Sequence, residues 1–206
     1  MRKTGTRCIL GLMLIVGAAL SAGCATVGDQ RVDLLYQRTV NAKGGSGDLY
    51  FVEEGVPALS GTTPIQWVLG EITNKDGEKV GNIVTDTAPA DLLTDAFTQE
   101  FRAAGYNVIQ ERPMPQDAAK GVKLKSVTIE LKEKKSLVKV DAKCRVKISV
   151  EPWRNGKAMK LLEYEAEYSA TDIVGREDPL PKTMQQALQT LMTRSVPEIV
   201  KMIEQK

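Results

Sequence analysis

The chain has 206 residues, of which 42% are hydrophobic, 26% charged and 5% aromatic, as in ordinary globular proteins of one or two domains. The net charge is +2, and because three bases lie within residues 1–23, the rest of the chain is nearly neutral. A neutral body argues against nucleic-acid binding, which needs a basic face. The chain also lacks histidine, the most common general base and transition-metal ligand. The sequence therefore predicts no catalytic residue, no metal site, no cofactor and no nucleic-acid partner.

The first 24 residues have the pattern of a bacterial lipoprotein signal. A basic start precedes an apolar run (8–20) of about 13 residues, which is too short for a bilayer span of about 20. The segment LSAGC at 20–24 resembles a lipobox, in which the signal is cleaved between Gly23 and Cys24 and the lipid is attached to Cys24. An ordinary secretory signal cut near Ala22, or an uncleaved anchor, is the alternative.

Lipidation predicts that the membrane is a partner, because acyl chains anchor a protein without a transmembrane helix. Ala25 stands where, by resemblance to enteric lipoproteins, an aspartate retains the protein in the inner membrane. We therefore expect the periplasmic face of the outer membrane, with the inner membrane less favoured. We interpret residues 1–23 as the signal peptide, 24–47 as the lipidated cysteine and a flexible tether, and 48–206 as a single periplasmic domain.

The tether prediction depends on composition. AKGGSG at 42–47 is typical of a flexible linker, whereas RVDLLYQ at 31–37 is compatible with a short edge strand. Further along, a helix is predicted from Pro89 to Gly105, where glycine commonly ends a helix. The remaining predicted elements are strands at 49–52, 65–73, 80–84 and 106–110 and a C-terminal helix over 181–205, in which Pro197 kinks the helix or starts a new turn capped by Ser195.

The stretch from Val138 to Val150 alternates strictly, with apolar residues at even positions and polar residues at odd ones, and 162–170 repeats the pattern. Such alternation predicts two strands with one face on the core and one in water. Even positions share a face only if paired residue numbers have an even sum. This argument excludes a two-residue Asn-Gly loop and favours a three-residue loop over 154–156. It places Lys147 opposite Glu163, Arg145 opposite Glu165 and Lys143 opposite Glu167.

Other candidate residues have structural explanations that are favoured over functional ones. Cys144 is in phase with core residues and has no histidine to activate it, so we expect it to be buried. The glutamates at 163, 165 and 167 are better explained by ion pairing than by a cation site. The methionines at 184, 192 and 202 are better explained by core packing. Trp153, beside the hairpin loop, is a candidate partner contact, and the favoured alternative is packing on Lys157.

The runs ITNKDG (72–77), IVTD (83–86) and GYNV (105–108), with the apolar helix before the last, resemble the YajG-like lipoprotein family. The long charged hairpin and the C-terminal helix occur in the same order, so the resemblance covers roughly 48–206. It implies a small envelope lipoprotein that is an accessory factor to a transport or secretion machine and has no catalytic residues.

These observations predict an α+β fold, a two-layer sandwich with a mostly antiparallel five- to seven-stranded sheet and two helices on one face. The predicted function is that of a membrane-anchored, non-enzymatic accessory or adapter for another envelope protein or transport machine. The alternative is a lipid-binding auxiliary of an envelope lipid-transport system, which a deep apolar cavity would favour.

Overall fold

The computed structural model describes residues 28–54, 65–111 and 113–205. The predicted signal peptide, with its cleavage site at Gly23 and the lipidated Cys24, lies outside the described residues. Within them, neither helix is long and apolar enough to cross a bilayer. The elements are β1 (Gln30–Arg31), β2 (Asp48–Glu53), β3 (Trp67–Thr73), β4 (Lys79–Thr85), α1 (Pro89–Ala104), β5 (Asn107–Gln110), β6 (Lys120–Lys135), β7 (Lys139–Arg154), β8 (Lys157–Ala158), β9 (Leu162–Ile173) and α2 (Pro179–Glu204).

The strands form one sheet built around β6. One edge of β6 pairs with β2 along its first half and with β3 along its second half, and the other edge pairs with β7. Further from β6, β5 pairs with β2, and β9 pairs with β7. On the side of β3, β4 pairs with β3, and β1 pairs with β4. The short β8 also pairs with β7.

This topology corrects one part of the predicted fold. The α+β class and the two helices are confirmed, but the described sheet has nine strands, and four of its eight pairings are parallel. The expected mostly antiparallel sheet of five to seven strands is therefore wrong. Alternation reports which face of a strand is buried, whereas a parallel pairing depends on a crossover connection that leaves no such pattern.

Both helices pack into one apolar core on the same face of the sheet. On α1, the rings of Phe97 and Phe101 lie against Phe51 of β2, with centroids 5.7 and 6.3 Å away. The helix ends at Gly105, whose φ of 114° lies in the left-handed region that glycine adopts without strain. The helix α2 covers β7 and β9. Its residues Met184 and Met192 are buried, which confirms the packing explanation for them.

The register of the β7–β9 hairpin differs from the prediction. Asn155 and Gly156, with φ of 51° and 71°, form the two-residue turn that the sequence argument excluded, and Arg154 pairs with Lys157. One extra residue in 159–161 then restores the even sum, so that all pairs from Lys139↔Ile173 to Val150↔Leu162 share one register. The predicted faces are confirmed, but the predicted opposite pairs are shifted by two residues. A bulge of this kind leaves the alternation on either side of it unchanged.

Residues 28–47 belong to the domain, so the expected flexible tether and the domain boundary at residue 48 are wrong for this part of the chain. Gln30–Arg31 does form a short edge strand, and Val32, Tyr36 and Val40 are buried in the core. Gly45 lies against the ring of Tyr106 so closely that a Cβ would stand 2.5 Å from it. Close packing therefore explains Gly45, whereas Gly44 and Gly47 have φ of 98° and 70°, in the left-handed region that glycine adopts without strain.

A buried carboxylate holds this N-terminal segment in place. Glu100 on α1 is 1% exposed, and its Oε1 accepts hydrogen bonds from Tyr36 Oη at 2.7 Å and from the backbone N–H groups of Thr39 and Val40 at 3.0 and 3.2 Å. Burial, and then the bond to Glu100, raise the pKa of Tyr36 far above its ordinary value, so the phenol stays a donor. The hydroxyl of Tyr36 and the amide of Val40 therefore have a partner although both residues are buried, and the amide of the exposed Thr39 binds the same oxygen.

The helix α2 continues through Pro197. The predicted fresh start at Ser195 is wrong, because Ser195 Oγ donates to the carbonyl of Leu191 at 2.9 Å, one turn back in the same helix. The cap is instead Asp178, which accepts from the N–H of Leu180 at 3.0 Å.

Candidate interaction surfaces

Trp153 lies at the end of β7 on the sheet face opposite the helices. Its indole Nε1 donates to Glu151 Oε1 at 2.6 Å, and Lys123 Nζ stands 4.2 Å from the ring centroid. The ring also packs on a small cluster formed by Val52, Met114 and Ala118. It does not pair with Lys157, which is opposite Arg154. Trp153 is therefore half-buried and holds the loop before β6 to the sheet, and its role as a partner contact stays a prediction.

Cys144 is fully buried on the helix-covered face of β7, which confirms the expectation. Burial raises the pKa of its thiol to about 12, so the sulfur stays protonated near neutral pH. A protonated, inaccessible thiol is a packing group and does not react as a nucleophile.

The outer face of β7 and β9 carries a ladder of ion pairs. Arg145 lies directly opposite Glu167 and its Nη2 stands 3.0 Å from that carboxylate, while Lys147 and Lys143 stand 3.1 and 2.7 Å from Glu165 and Glu167. These pairs hold the pKa of Glu167 below its usual range. Because the side chains are well exposed, each pair stabilises the fold only slightly. Among the described residues, no group of three or more potential ligands is placed to hold a metal ion.

Strand β9 is an edge that the sequence analysis did not single out. Within the described residues it pairs with β7 only, so the backbone groups along its other side have no strand neighbour. Its 12 residues span about 40 Å and contain no proline. Ala166 is buried and Tyr164 and Tyr168 pack against the core, so the strand is fixed from one face. Arg194 of α2 donates to the backbone carbonyl of Glu165 at 3.3 Å, and the rest of this long edge, with no described strand against it, is a template for another strand.

Two crevices of about 290 Å³ each are open to solvent and have mixed linings. One lies beside Trp67 and Leu124 and is bordered by the charged Glu54 and Lys125. The other lies between Gln30 and the start of α2 and contains Glu133 and Lys135. Neither has the enclosed apolar lining that a lipid chain requires.

No protein-family model and no curated protein match the chain. The YajG-like resemblance therefore has no family match to support it and stays a prediction. Among solved structures, a Xanthomonas campestris protein of the DUF330 family is similar at 8% identity and a TM-score of 0.43, covering 84% of this chain and 94% of its own. Rare lipoprotein B from Shewanella oneidensis is similar at 14% identity and a TM-score of 0.28, over 65% of this chain and 89% of its own.

A third solved structure, a putative neuraminyllactose-binding hemagglutinin homolog from Helicobacter pylori, has 11% identity and a TM-score of 0.35 over 84% of this chain and 90% of its own. All three TM-scores lie below 0.5, so these similarities decide neither family nor function. Function is argued below from the chain's own residues.

Proposed function

We propose that this chain is a lipid-anchored envelope protein that acts as a non-enzymatic accessory or adapter and binds another envelope protein along the edge of β9. The lipobox at 20–24 supports the anchor, with Cys24 as the lipidated residue, and Ala25 supports the periplasmic face of the outer membrane. The observation that carries the proposal is the unpaired edge of β9, twelve residues long and without proline.

The surroundings of β9 supply both affinity and specificity for an added strand. Main-chain hydrogen bonds to the edge would provide affinity, and the side chains at alternate positions would select the partner. On the outer face these side chains include Glu163, Glu165 and Glu167, which favour a partner strand with basic residues on that face. On the inner face, Tyr164 and Tyr168 pack on the core and keep the edge straight.

A lipid anchor reduces the affinity that such a contact needs, because it confines both proteins to one membrane surface and raises their effective concentration. A lipid-binding auxiliary role has less support, because the two crevices described above are open and partly charged. The adapter role uses a surface that the fold already presents.

In-cell photo-crosslinking tests this proposal. A photoreactive amino acid at Glu163 or at Ser169, both exposed on β9, is expected to give a discrete adduct with an envelope protein, which mass spectrometry then identifies. The matched control is the same amino acid at Arg102, exposed on α1, which should give no such adduct. Absence of an adduct from both β9 positions in folded, membrane-attached protein would overturn the role of the edge.

The anchor has its own test. Replacing Cys24 with alanine should abolish incorporation of a fatty-acid analogue and leave the protein unprocessed or free of the membrane. Normal acylation of the Cys24→Ala protein would contradict the lipobox assignment.

A further inference from the structure

Four residues with exposed aliphatic side chains lie at the end of the β6–β7 hairpin and the adjoining end of β9. We name them the apolar tip: Leu137, Val138, Ile173 and Val174, with exposed fractions of 88, 71, 54 and 48%. The backbone brings them to one pole of the domain, because Val174 N–H donates to the carbonyl of Val138 at 3.2 Å and Ile173 pairs with Lys139. Of the eight large apolar side chains that are exposed in the described residues, these four are half.

The local backbone does not explain why aliphatic residues stand there. Leu137 and Val138 are the two residues of a tight turn, which is closed by hydrogen bonds between Ser136 and Lys139, the backbone N–H of Ser136 donating at 2.9 Å and its hydroxyl at 2.8 Å. Turns favour glycine, asparagine, aspartate and serine. A turn that holds leucine and valine out into solvent is instead typical of a surface that becomes covered.

The chain enters the domain at this same pole. The parallel pairing of β1 with β4 places Asp29 beside Asn82, and the backbone N–H of Asn82 donates to Asp29 Oδ1 at 2.9 Å. Gln30 is bonded to the tip's neighbours, since its Nε2 donates to Asp178 at 2.8 Å and its Oε1 accepts from Lys135 at 2.9 Å. Strand β1 runs away from the tip, so Asp29, which precedes it, lies nearer the tip end of the sheet than Gln30 does.

The distance from the lipid is short. Only residues 25–27 separate Cys24 from the first described residue, Gly28. At about 3.5 Å per residue, the four steps along the chain from Cys24 to Gly28 span about 14 Å at most. A lipidated Cys24 thus keeps the apolar tip within a short distance of the bilayer surface.

We propose that the apolar tip seats in the headgroup region of the bilayer that holds the Cys24 lipid, an inference that rests on the proposed lipidation. The exposed Lys134 lies near the tip, and its side chain is long enough to extend its charge to the phosphates while its stem stays near the apolar residues. Lys139 also adjoins the tip, but its Nζ is paired with Asp141 at 2.9 Å. Acidic residues are also present at this pole, at Asp172, Glu177 and Asp178, so burial of aliphatic surface and not net charge drives the seating.

Seating fixes the orientation of the proposed partner site. Strands β7 and β9 then rise from the membrane with their tip ends down, and the edge of β9 extends about 40 Å into the periplasm. A partner strand can pair along this edge without crossing the headgroups.

Site-specific fluorescence on the acylated, signal-cleaved protein tests whether the apolar tip lies in the headgroup region. In a Cys144→Ala background, an environment-sensitive fluorophore is attached to Val138→Cys or, as a second tip position, Val174→Cys. The matched control is Lys157→Cys, at the other end of β7. The protein is reconstituted into phosphatidylethanolamine–phosphatidylglycerol vesicles, and mass spectrometry verifies acylation of Cys24.

The expected result is a shift of emission to shorter wavelength and quenching by nitroxide-labelled lipid at both tip positions, with neither at residue 157. Replacing Leu137 with serine should reduce the quenching at residue 174. Acylated protein whose tip labels stay in water would overturn the seat and leave the anchor intact. Absence of acylation at Cys24 would overturn the anchor, and the seat with it.

Discussion

Two edge strands of the sheet, β1 and β9, differ sharply. At one end, β1 has only two residues, and the chain then turns into the core, where Glu100 binds the N–H groups of Thr39 and Val40. At the other end, β9 offers twelve residues with one side unpaired in the described part of the chain. Very short strands and covering segments are common ways to protect an edge. The molecule protects the edge at β1 and leaves the edge at β9 available.

This difference separates the two proposed contacts. The proposed membrane contact involves β9 only through Ile173, its last residue, so the eleven residues before it stay free for strand pairing. The available edge lies across the sheet, beyond β4, β3, β6 and β7. An adapter benefits from such a separation, because its anchor and its partner can be engaged at the same time.

The largest effect is expected where β9 is held to the sheet. Ile148 on β7 is 3% exposed and lies opposite Tyr164 of β9, so Ile148→Ala should lower the free energy of unfolding by about 2–5 kcal/mol. The matched control is Lys147→Ala, the next residue on the exposed face, which should cost less than about 1 kcal/mol. Urea denaturation measures both. Equal losses would mean that the ion pairs, and not the apolar face, hold the edge strand.

The protected edge has a smaller expected effect. Glu100→Ala leaves Tyr36 and the amides of Thr39 and Val40 without their acceptor, and should cost about 1–3 kcal/mol. Glu100→Gln keeps an acceptor oxygen and should cost less. Hydrogen exchange at residues 39 and 40 should accelerate in the alanine variant. If both variants lose the same stability, the acceptor is not what fixes this segment.

The register of β9 can be tested by disulfide trapping. With Cys144 replaced by alanine, cysteines at 145 and 167 are directly opposite and should link under mild oxidation. Cysteines at 145 and 165 are diagonal neighbours, about 7–8 Å apart, and should link poorly. Preferential formation of the 145–165 bridge would restore the register expected from the sequence.

The smallest effect concerns Glu133 of the central strand β6, which lines the crevice that also contains Gln30 of β1. Its carboxylate is 1% exposed and 2.8 Å from Lys135 Nζ, and burial raises its pKa despite this partner. The folded state therefore holds the proton to higher pH than the unfolded chain, so stability falls as pH rises from the ordinary value near 4.5 through the raised pKa. Glu133→Gln should flatten that part of the stability profile. An unchanged pH profile would contradict the raised pKa.

Local signals in the sequence predicted much of the fold. The helix from Pro89 to Gly105, the buried face of β7 and the burial of Cys144 follow from periodicity and capping, which act over a few residues. The alternation of β6 was hidden in the sequence by a bulge at Lys125. Before the bulge the buried residues have even numbers, such as Leu124, and after it they have odd numbers, such as Ile129 and Leu131. The parallel pairings depend on distant segments, and alternation carries no information about them.

The candidate surfaces were less predictable for related reasons. The packing of residues 32–40 depends on Glu100, whose charge on an amphipathic helix gives no sign that it is buried. The free edge of β9 is a property of strand order, and the apolar tip brings together residues 137–138 and 173–174, which are separated in sequence. Only the proposed anchor at Cys24 rests on a signal that is local to the sequence.

Hydrogen exchange along β7 and β9 tests the central claim most directly, because a strand added by a partner would protect the outer amides of β9. We expect these amides to exchange slowly in native envelope membranes and quickly after purification in detergent, while the amides of β7, paired on both sides, stay slow in both samples. Equally fast exchange of β9 in both samples, with β7 still protected, would contradict the claim that this edge binds a partner.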